Sequence, residues 1–410
     1  VEGQSQLHVT TIRRKRTLLG AGDPEIDQTF ELSGLLTGRP VDLLVPTTAD
    51  SLLVLTADGV VNYLFLTDAG AFELRQSFTP FEDAEDPAVS TMGFILGDVS
   101  VVFGNIDGLN RAFSLYIPDG QSQRLFGMRH EFAPLAEAPT FVVSSLRNKA
   151  FLIGGGHTAS LRYLTTDVIR WEDPALEFVP RLAVINGKYN GFFLLDAENR
   201  LHRFELDDPH PEAGWRAFFG KLYYEGSAER KWEWQSTGGS DDFEPKLSLV
   251  PLIFGTLKGT FYAMLFAIPI AITAALYTSQ FMEPGFRNVI KPTMEIMASL
   301  PSVVLGFLAA IYIAPLIEQR VPSLLLVAAG VPIASMLLGW GWSNLPIRIR
   351  NVVRPGYESF FFIPVLLFLM FIFWQLGPAF EELAFVTTDP TSGKRVADFR
   401  YWWPAVTGSS

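Results

Sequence analysis

Residues 259–282 read GTFYAMLFAIPIAITAALYTSQFM, with no charged side chain among them. At ~1.5 Å rise per residue a helix of this length reaches ~36 Å, enough to cross a hydrocarbon core of ~30 Å with some tilt. A core helix of a soluble protein seldom runs so far without a charge. Three more uncharged windows follow, 296–317, 321–347 and 359–380, each between charged residues. The spans expected are therefore about 254–282, 296–317, 321–343 and 359–380. Tyr277, Tyr312, Trp340, Trp342 and Trp374 stand toward the window ends, where amphipathic rings favour the membrane interface.

The charge distribution divides the 410-residue chain at the same place. From Leu249 onward there are ten Lys/Arg against eight Asp/Glu, a formal +2; before it there are 22 against 35, a formal −13. An acidic, water-compatible half thus precedes an apolar, slightly basic one. The acidic half argues against nucleic acid as a partner, because phosphate backbones are bound by basic surfaces. Cysteine is absent, which suits an oxidising compartment and removes disulfide and thiolate chemistry. Val1 opens without an initiator Met or an apolar leader, so a piece open at both ends is expected.

The first half reads as recurring hairpins. Leu52–Thr56 and Val60–Leu66 flank Ala57-Asp58-Gly59, and Val99–Phe103 and Leu109–Ile117 flank Asp107-Gly108. Ala150–Ile153 and Ser160–Thr166 flank Gly154-Gly155-Gly156, and Gly191–Leu195 and Leu201–Leu206 flank Glu198-Asn199. Further strands are expected at Val89–Leu96, Thr140–Ser144 and Arg181–Ile185, and Leu7–Leu19 is a candidate for an earlier unit. A β repeat of roughly 40–50 residues matches propeller blades, with a β-sandwich as the rival reading. The fold class expected is mixed: an all-β, propeller-like domain over 1–235, a polar linker over 236–248, transmembrane helices over 249–384 and a tail over 385–410. The aromatic, charged stretch Trp215–Trp234 reads as amphipathic and is expected near the membrane face.

No catalytic constellation stands out. The five histidines show no metal-ligand spacing, and no GxxxxGK[ST] phosphate loop is present, so ATP hydrolysis and a bound cofactor are not expected on this chain. Gly154-Gly155-Gly156-His157 superficially resembles an oxyanion loop but lacks a G-x-S-x-G elbow, which favours a plain turn. The acidic runs Glu82–Asp86 and Glu205–Asp208 read as solvated loops.

Orientation follows from the loops. Arg287 and Lys291 follow the first window and Arg348, Arg350 and Arg354 follow the third, while Arg320 beside Glu318 follows the second. Positive loops stay cytoplasmic, which puts the acidic half outside, although Lys394, Arg395 and Arg400 of the tail run against the rule. Pro269, Pro301 and Pro332 fall within the first three windows, each removing a backbone donor. Gly255 and Gly259 have the GxxxG spacing that permits close helix approach. Lys258 reads as a snorkelling side chain and Glu295 as an interfacial carboxylate.

The run LSLVPLIFGTLKGTFYAMLFAIPIAITAALYTSQFM, followed by IKPTMEIMASLPSVVLGFLAA, resembles the membrane permease of the phosphate-specific ABC importer, the PstC type. The pieces that carry it are Pro251–Thr256, the helix containing Pro269, and Glu295–Phe307 with its Pro301-Ser302; it covers roughly residues 246–317. The rest looks like a long proteobacterial form with a large periplasmic insertion. The resemblance implies a type I importer permease of the inner membrane that pairs with a second permease subunit, docks cytoplasmic ATPase subunits and receives phosphate from a periplasmic binding protein. The family's ALGA coupling stretch and its RAxGET-like motif do not occur before Ser410, so their residues cannot be carried onto this chain.

Ser299, Pro301, Ser302 and Gly306 are the candidates for lining or gating the substrate path, with Ser302 offering a hydroxyl to a phosphate oxygen; helix packing alone is the competing role. Gly255, Gly259 and Pro269 are candidates for helix packing or the permease interface. Two other classes stay open: a membrane-tethered β-propeller that binds or senses a ligand, and a propeller enzyme.

Overall fold

The computed structural model describes residues 6–17, 20–240, 242–318, 320–350, 352–353, 358–388 and 395–397. Arg354, Lys394 and Arg400, used above for orientation, lie outside them. The chain divides into two compact units, Val1–Tyr262 and Ala263–Ser410.

The first unit opens with a hairpin, β1 (His8–Thr17) and β2 (Gly20–Glu31). Three four-stranded antiparallel meanders follow. The first holds β3 (Pro40–Leu44), β4 (Ser51–Thr56), β5 (Val61–Leu66) and β6 (Phe72–Phe78). The second holds β7 (Val89–Phe94), β8 (Ser100–Asn105), β9 (Asn110–Tyr116) and β10 (Leu125–Phe132). The third holds β11 (Phe141–Ser144), β12 (Ala150–Gly155), β13 (Thr158–Tyr163) and β14 (Val168–Asp173). A fourth sheet has three described strands, β15 (Pro180–Ile185), β16 (Gly191–Asp196) and β17 (Leu201–Glu205).

Strands β4, β8 and β12 are buried at every position, and the reason lies in how the sheets stack. Side chains alternate between the two faces of a strand. Leu52 and Val54 pack toward the β1–β2 hairpin with Leu7 and Leu32, while Leu53 and Tyr63 pack against Val101 and Phe103 of the second sheet. Val102 and Ala112 meet Phe151 and Ile153 of the third sheet; Leu152 and Leu161 meet Phe192 and Leu194 of the fourth. The first three sheets thus each supply alternate residues to two cores in series, rather than one face to a single sandwich core. This is a propeller-like stack, and among the described residues the sheets do not close into a ring. At the Asp107-Gly108 turn, Gly108 takes φ +82°, a conformation side chains other than glycine's rarely adopt.

The end of the first unit differs from a free polar linker. After the short helix α1 (Trp215–Phe219), β18 (Trp234–Gln235) pairs with β19 (Lys246–Leu247). Glu244 is buried: it accepts from the Thr165 hydroxyl and from the Glu225 amide at 2.8 Å. The Glu225 carboxylate in turn takes Ser100 Oγ at 2.7 Å and Lys149 Nζ at 2.5 Å. Glu244, within the segment expected as a linker, is therefore held by buried polar contacts to Thr165 and to Glu225, which itself reaches Ser100 of the second sheet.

Helix α2 (Val250–Leu276) continues through a π-helical turn to Phe281, then come α3 (Pro284–Ser299), α4 (Ser302–Leu308), a second π-helical turn and α5 (Ala314–Glu318). Next are α6 (Val321–Ser343), α7 (Ile347–Arg350) and α8 (Glu358–Ala384), then the short pair β20 (Thr387–Thr388) and β21 (Arg395–Ala397). Among the described residues three helices, Val250–Phe281, Val321–Ser343 and Phe361–Ala384, are long and apolar enough to cross a membrane, or four if the bent pair Pro284–Ser299 and Ser302–Glu318 counts as one broken span.

That pair corrects the expectation of one straight helix over 296–317. The two segments meet at 85°. Leu300, preceding a proline, is held extended (φ −71°, ψ 135°), and Pro301 follows at ψ 120°. Two successive extended residues end one helix and re-aim the next. The basic residues Arg287 and Lys291, expected in a loop, stand on α3.

Candidate functional site

The second unit brings the sequence candidates around this break. Ser299 closes α3, its hydroxyl donating to the Ile296 carbonyl at 2.6 Å. That oxygen serves its own helix, which weakens Ser299 as a ligand group. Ser302 begins α4 with an exposed side chain, and its hydroxyl makes no hydrogen bond among the described residues. Pro301 has no amide hydrogen, and the first amide returned to its carbonyl is that of Val304 at 3.0 Å. The amides of Ser302 and Val303 therefore lie in the helix's first turn, where no intrahelical acceptor exists. Gly306 meets nothing within 4 Å of where a Cβ would stand.

Beside the break, the C-terminal end of α2 and the face of α3 enclose a cleft of about 750 Å³. Ala271, Ala274 and Ala275 supply a narrow wall of small residues, Thr278 and Ser279 lie where the π-helical turn widens the helix, and Arg287, Lys291 and Glu295 line the opposite side. Those three charges recur every fourth residue, which sets them on one face of α3. Arg287 Nη2 donates to the carbonyls of Ser279 at 2.7 Å and Met282 at 3.3 Å. It thereby satisfies the orphan carbonyls at the end of the preceding helix, where a cation is also favoured by the helix dipole. Its Nε is buried without a partner among the described residues. An open groove with two cations, a carboxylate and hydroxyl-bearing residues offers hydrogen-bond donors and positive charge to a small hydrated anion.

The packing glycines are not the expected ones. Gly255 and Gly259 meet nothing within 4 Å, so their GxxxG pattern contacts no helix of this chain among the described residues. Pro269 is accommodated inside α2, and Thr273 Oγ1 donates to its carbonyl at 2.8 Å. Close approach occurs instead between α6 and α8. A side chain at Gly330 would meet the Phe373 ring at 2.7 Å, and one at Gly377 would collide with Ser323. Trp342 adds ring contacts with Phe361 and Phe362 at 5.8 and 5.3 Å.

No family model matches the chain. Part of it aligns with known permeases. The probable ABC transporter permease protein YqgH of Bacillus subtilis (strain 168) is 32% identical over 78 residues, 19% of this chain and 25% of that protein. The phosphate transport system permease protein PstC of Pasteurella multocida is 26% identical over 133 residues, 32% of this chain and 40% of that one. PstC 1 of Mycobacterium tuberculosis is 31% identical over 91 residues, 22% of this chain and 27% of that one. This chain is similar to ABC transporter permeases. It spans between a quarter and two-fifths of the length of these relatives. Among solved structures, the β-propeller domain of Cps50 (Swd1) from Myceliophteria thermophila aligns with 44% of this chain and 60% of its own at 11% identity, with a TM-score of 0.36.

Proposed function

We propose that the chain is a permease subunit of an ABC importer that carries inorganic phosphate across the bacterial inner membrane. The observation that carries this reading is the likeness to PstC-type permeases, joined to apolar helices long enough to span a bilayer. ATP hydrolysis belongs to separate cytoplasmic subunits, a second permease subunit completes the path, and a periplasmic phosphate-binding protein delivers the anion. The β unit is extracytoplasmic. Moving a phosphate anion through hydrocarbon requires a path that keeps its charge away from lipid. The cleft with Arg287, Lys291 and Glu295, next to the break at Ser299, Pro301, Ser302 and Gly306, is the part of this chain that fits that requirement. Gly255, Gly259 and Pro269 lie on α2 and are assigned to contact with the second permease subunit.

The test is uptake of radiolabelled phosphate at low external concentration by cells lacking the chain and by cells in which it is restored with its partner subunits. Restoration only with the chain present is expected. Uptake independent of the chain contradicts phosphate import and favours a tethered binding or sensing role. In the same assay Ser302→Ala is expected to lower uptake; unchanged uptake removes Ser302 from the path.

A further inference from the structure

The aromatic edge of the β unit is tied to the start of α2. The Leu249 amide donates to the Phe218 carbonyl at 2.8 Å, and the Ser248 amide donates to the Glu233 carbonyl at 3.1 Å. Trp232 Nε1 donates to the Phe219 carbonyl at 2.9 Å, and Trp234 pairs with Leu247. α1 and the strand from Trp232 to Trp234 are therefore bonded to the residues that immediately precede Val250, the first residue of the apolar span. Yet the rings of this edge are in the open. Trp215 is 82% exposed and stacks on exposed Phe219 at 5.5 Å, and Trp232 and Trp234 are exposed as well.

The charge of this edge also differs from its surroundings. Residues 1–248 carry a formal −13, but residues 215–234 hold Arg216, Lys221, Arg230 and Lys231 against Glu225, Glu229 and Glu233. Arg216 pairs with Asp167 and Lys231 with Glu233. Glu225 is spent on Ser100 and Lys149. Lys221 and Arg230 are exposed and make no ion pair among the described residues; they lie over the rings of Trp232 and Tyr223 at 4.5 and 5.1 Å.

We propose that this edge is a lipid-binding collar. Trp215 and Phe219 sit at the headgroup level of the bilayer that α2 enters, and Lys221 and Arg230 pair with lipid phosphate. Amphipathic rings favour that layer, since one side is apolar and the other wet. Lysine and arginine near an anionic surface are each attracted to it, whereas the rest of this acidic unit is repelled. The collar holds the β unit at a fixed height on the membrane where the chain crosses. The proposal rests on α2 crossing a bilayer, not on phosphate as the cargo.

The chain has no cysteine, so single thiols report without interference. Trp215→Cys and, separately, Leu265→Cys at the middle of the span are introduced in the full chain, labelled with a fluorophore and placed in nanodiscs of phosphatidylcholine and phosphatidylglycerol. The lipids carry a nitroxide quencher either near the headgroup or deep in the tail. The Leu265 probe is expected to be quenched most by the deep label and the Trp215 probe most by the shallow one. Adding Lys221→Glu and Arg230→Glu is expected to cut the shallow quenching at Trp215 by about twofold or more. A quenched Leu265 with an unquenched Trp215 overturns the collar alone, as does shallow quenching undiminished by the charge reversals. An unquenched Leu265 overturns the membrane crossing and the collar with it.

Discussion

The two units treat the same kind of side chain in opposite ways. In the β unit Leu53 and Leu152 are 1% and 0% exposed, each locked between consecutive sheets. In the helical unit Phe281, Val303 and Met336 are 77%, 80% and 75% exposed. Leaving such a side chain in water rather than burying it forgoes about 1.5–3 kcal/mol, repeated along α2, α4, α6 and α8. A chain that seals one half this thoroughly does not leave the other half open to water. The helical surface is complete only when lipid or a partner subunit covers it.

The largest expected effect would break the β side of the contrast. Arg162 is fully buried, donating to Ser160 Oγ at 3.0 Å, to the Ala133 carbonyl at 2.6 Å and to Asn110. Burial pulls its guanidinium down to about 10. Arg162→Ala strands those three neutral acceptors, each costing about 1–3 kcal/mol, and is expected to lower hydrogen-exchange protection in β9 and β13 by about 3–5 kcal/mol, with α6 and α8 unaffected. Unchanged protection would show that the buried cation is not what joins the second and third sheets.

Next comes pH. Burial first, and then the neighbouring Glu225 charge, push the Glu244 carboxyl up to about 7. The folded chain therefore holds a proton that an unfolded one releases near its ordinary value of 4.5. The contribution to stability is full below that value and is lost as pH rises through about 7. Protection of the Glu225 and Glu244 segments is expected to fall by roughly 2 kcal/mol between pH 5 and pH 8. Glu244→Gln, neutral at every pH, is expected to flatten that profile; a profile the variant leaves unchanged would locate the titration elsewhere.

The helical side is sharpened by Gly377→Leu. The added side chain collides with Ser323, and overpacking of this kind costs about 1–3 kcal/mol, to be read as a lower melting temperature in detergent. Gly255→Leu, with open space around it in this chain, is expected to leave that melting temperature unchanged while impairing assembly with a second permease subunit. Smallest is Arg287→Ala, which uncaps the carbonyls of Ser279 and Met282 and is expected to cost about 1 kcal/mol of α2–α3 protection along with a drop in phosphate uptake. Retained uptake would move the substrate path away from this cleft.

The hairpins centred on Asp58-Gly59, Asp107-Gly108 and Glu198-Asn199 were legible because a turn residue between two apolar runs fixes a local geometry. The outer strands β6 and β14 were not, since sequences such as FELRQSF and VIRWED alternate with charges and carry no apolar run. Windows of uncharged residues located α2, α6 and α8 within a few residues. The 85° break at Pro301 was hidden because proline alone does not decide it: Pro269, Pro332 and Pro364 sit inside continuous helices. What differs at Pro301 is that Leu300 also turns extended. Arg287 and Lys291 were read for their charge alone. Their place along the cleft depends on residues 284–299 forming a helix where a loop was expected.

The central claim is that the exposed helices lie in a bilayer with the β unit outside. With no native cysteine to interfere, Asp68→Cys in the β5–β6 turn and Gly285→Cys at the start of α3 can be probed one at a time with a membrane-impermeant maleimide. The outer membrane is permeabilised and the inner one left intact. Labelling of the Asp68 position in intact cells, with the Gly285 position reached only after lysis, is the predicted result. The reverse pattern, or equal labelling of both before lysis, would contradict it.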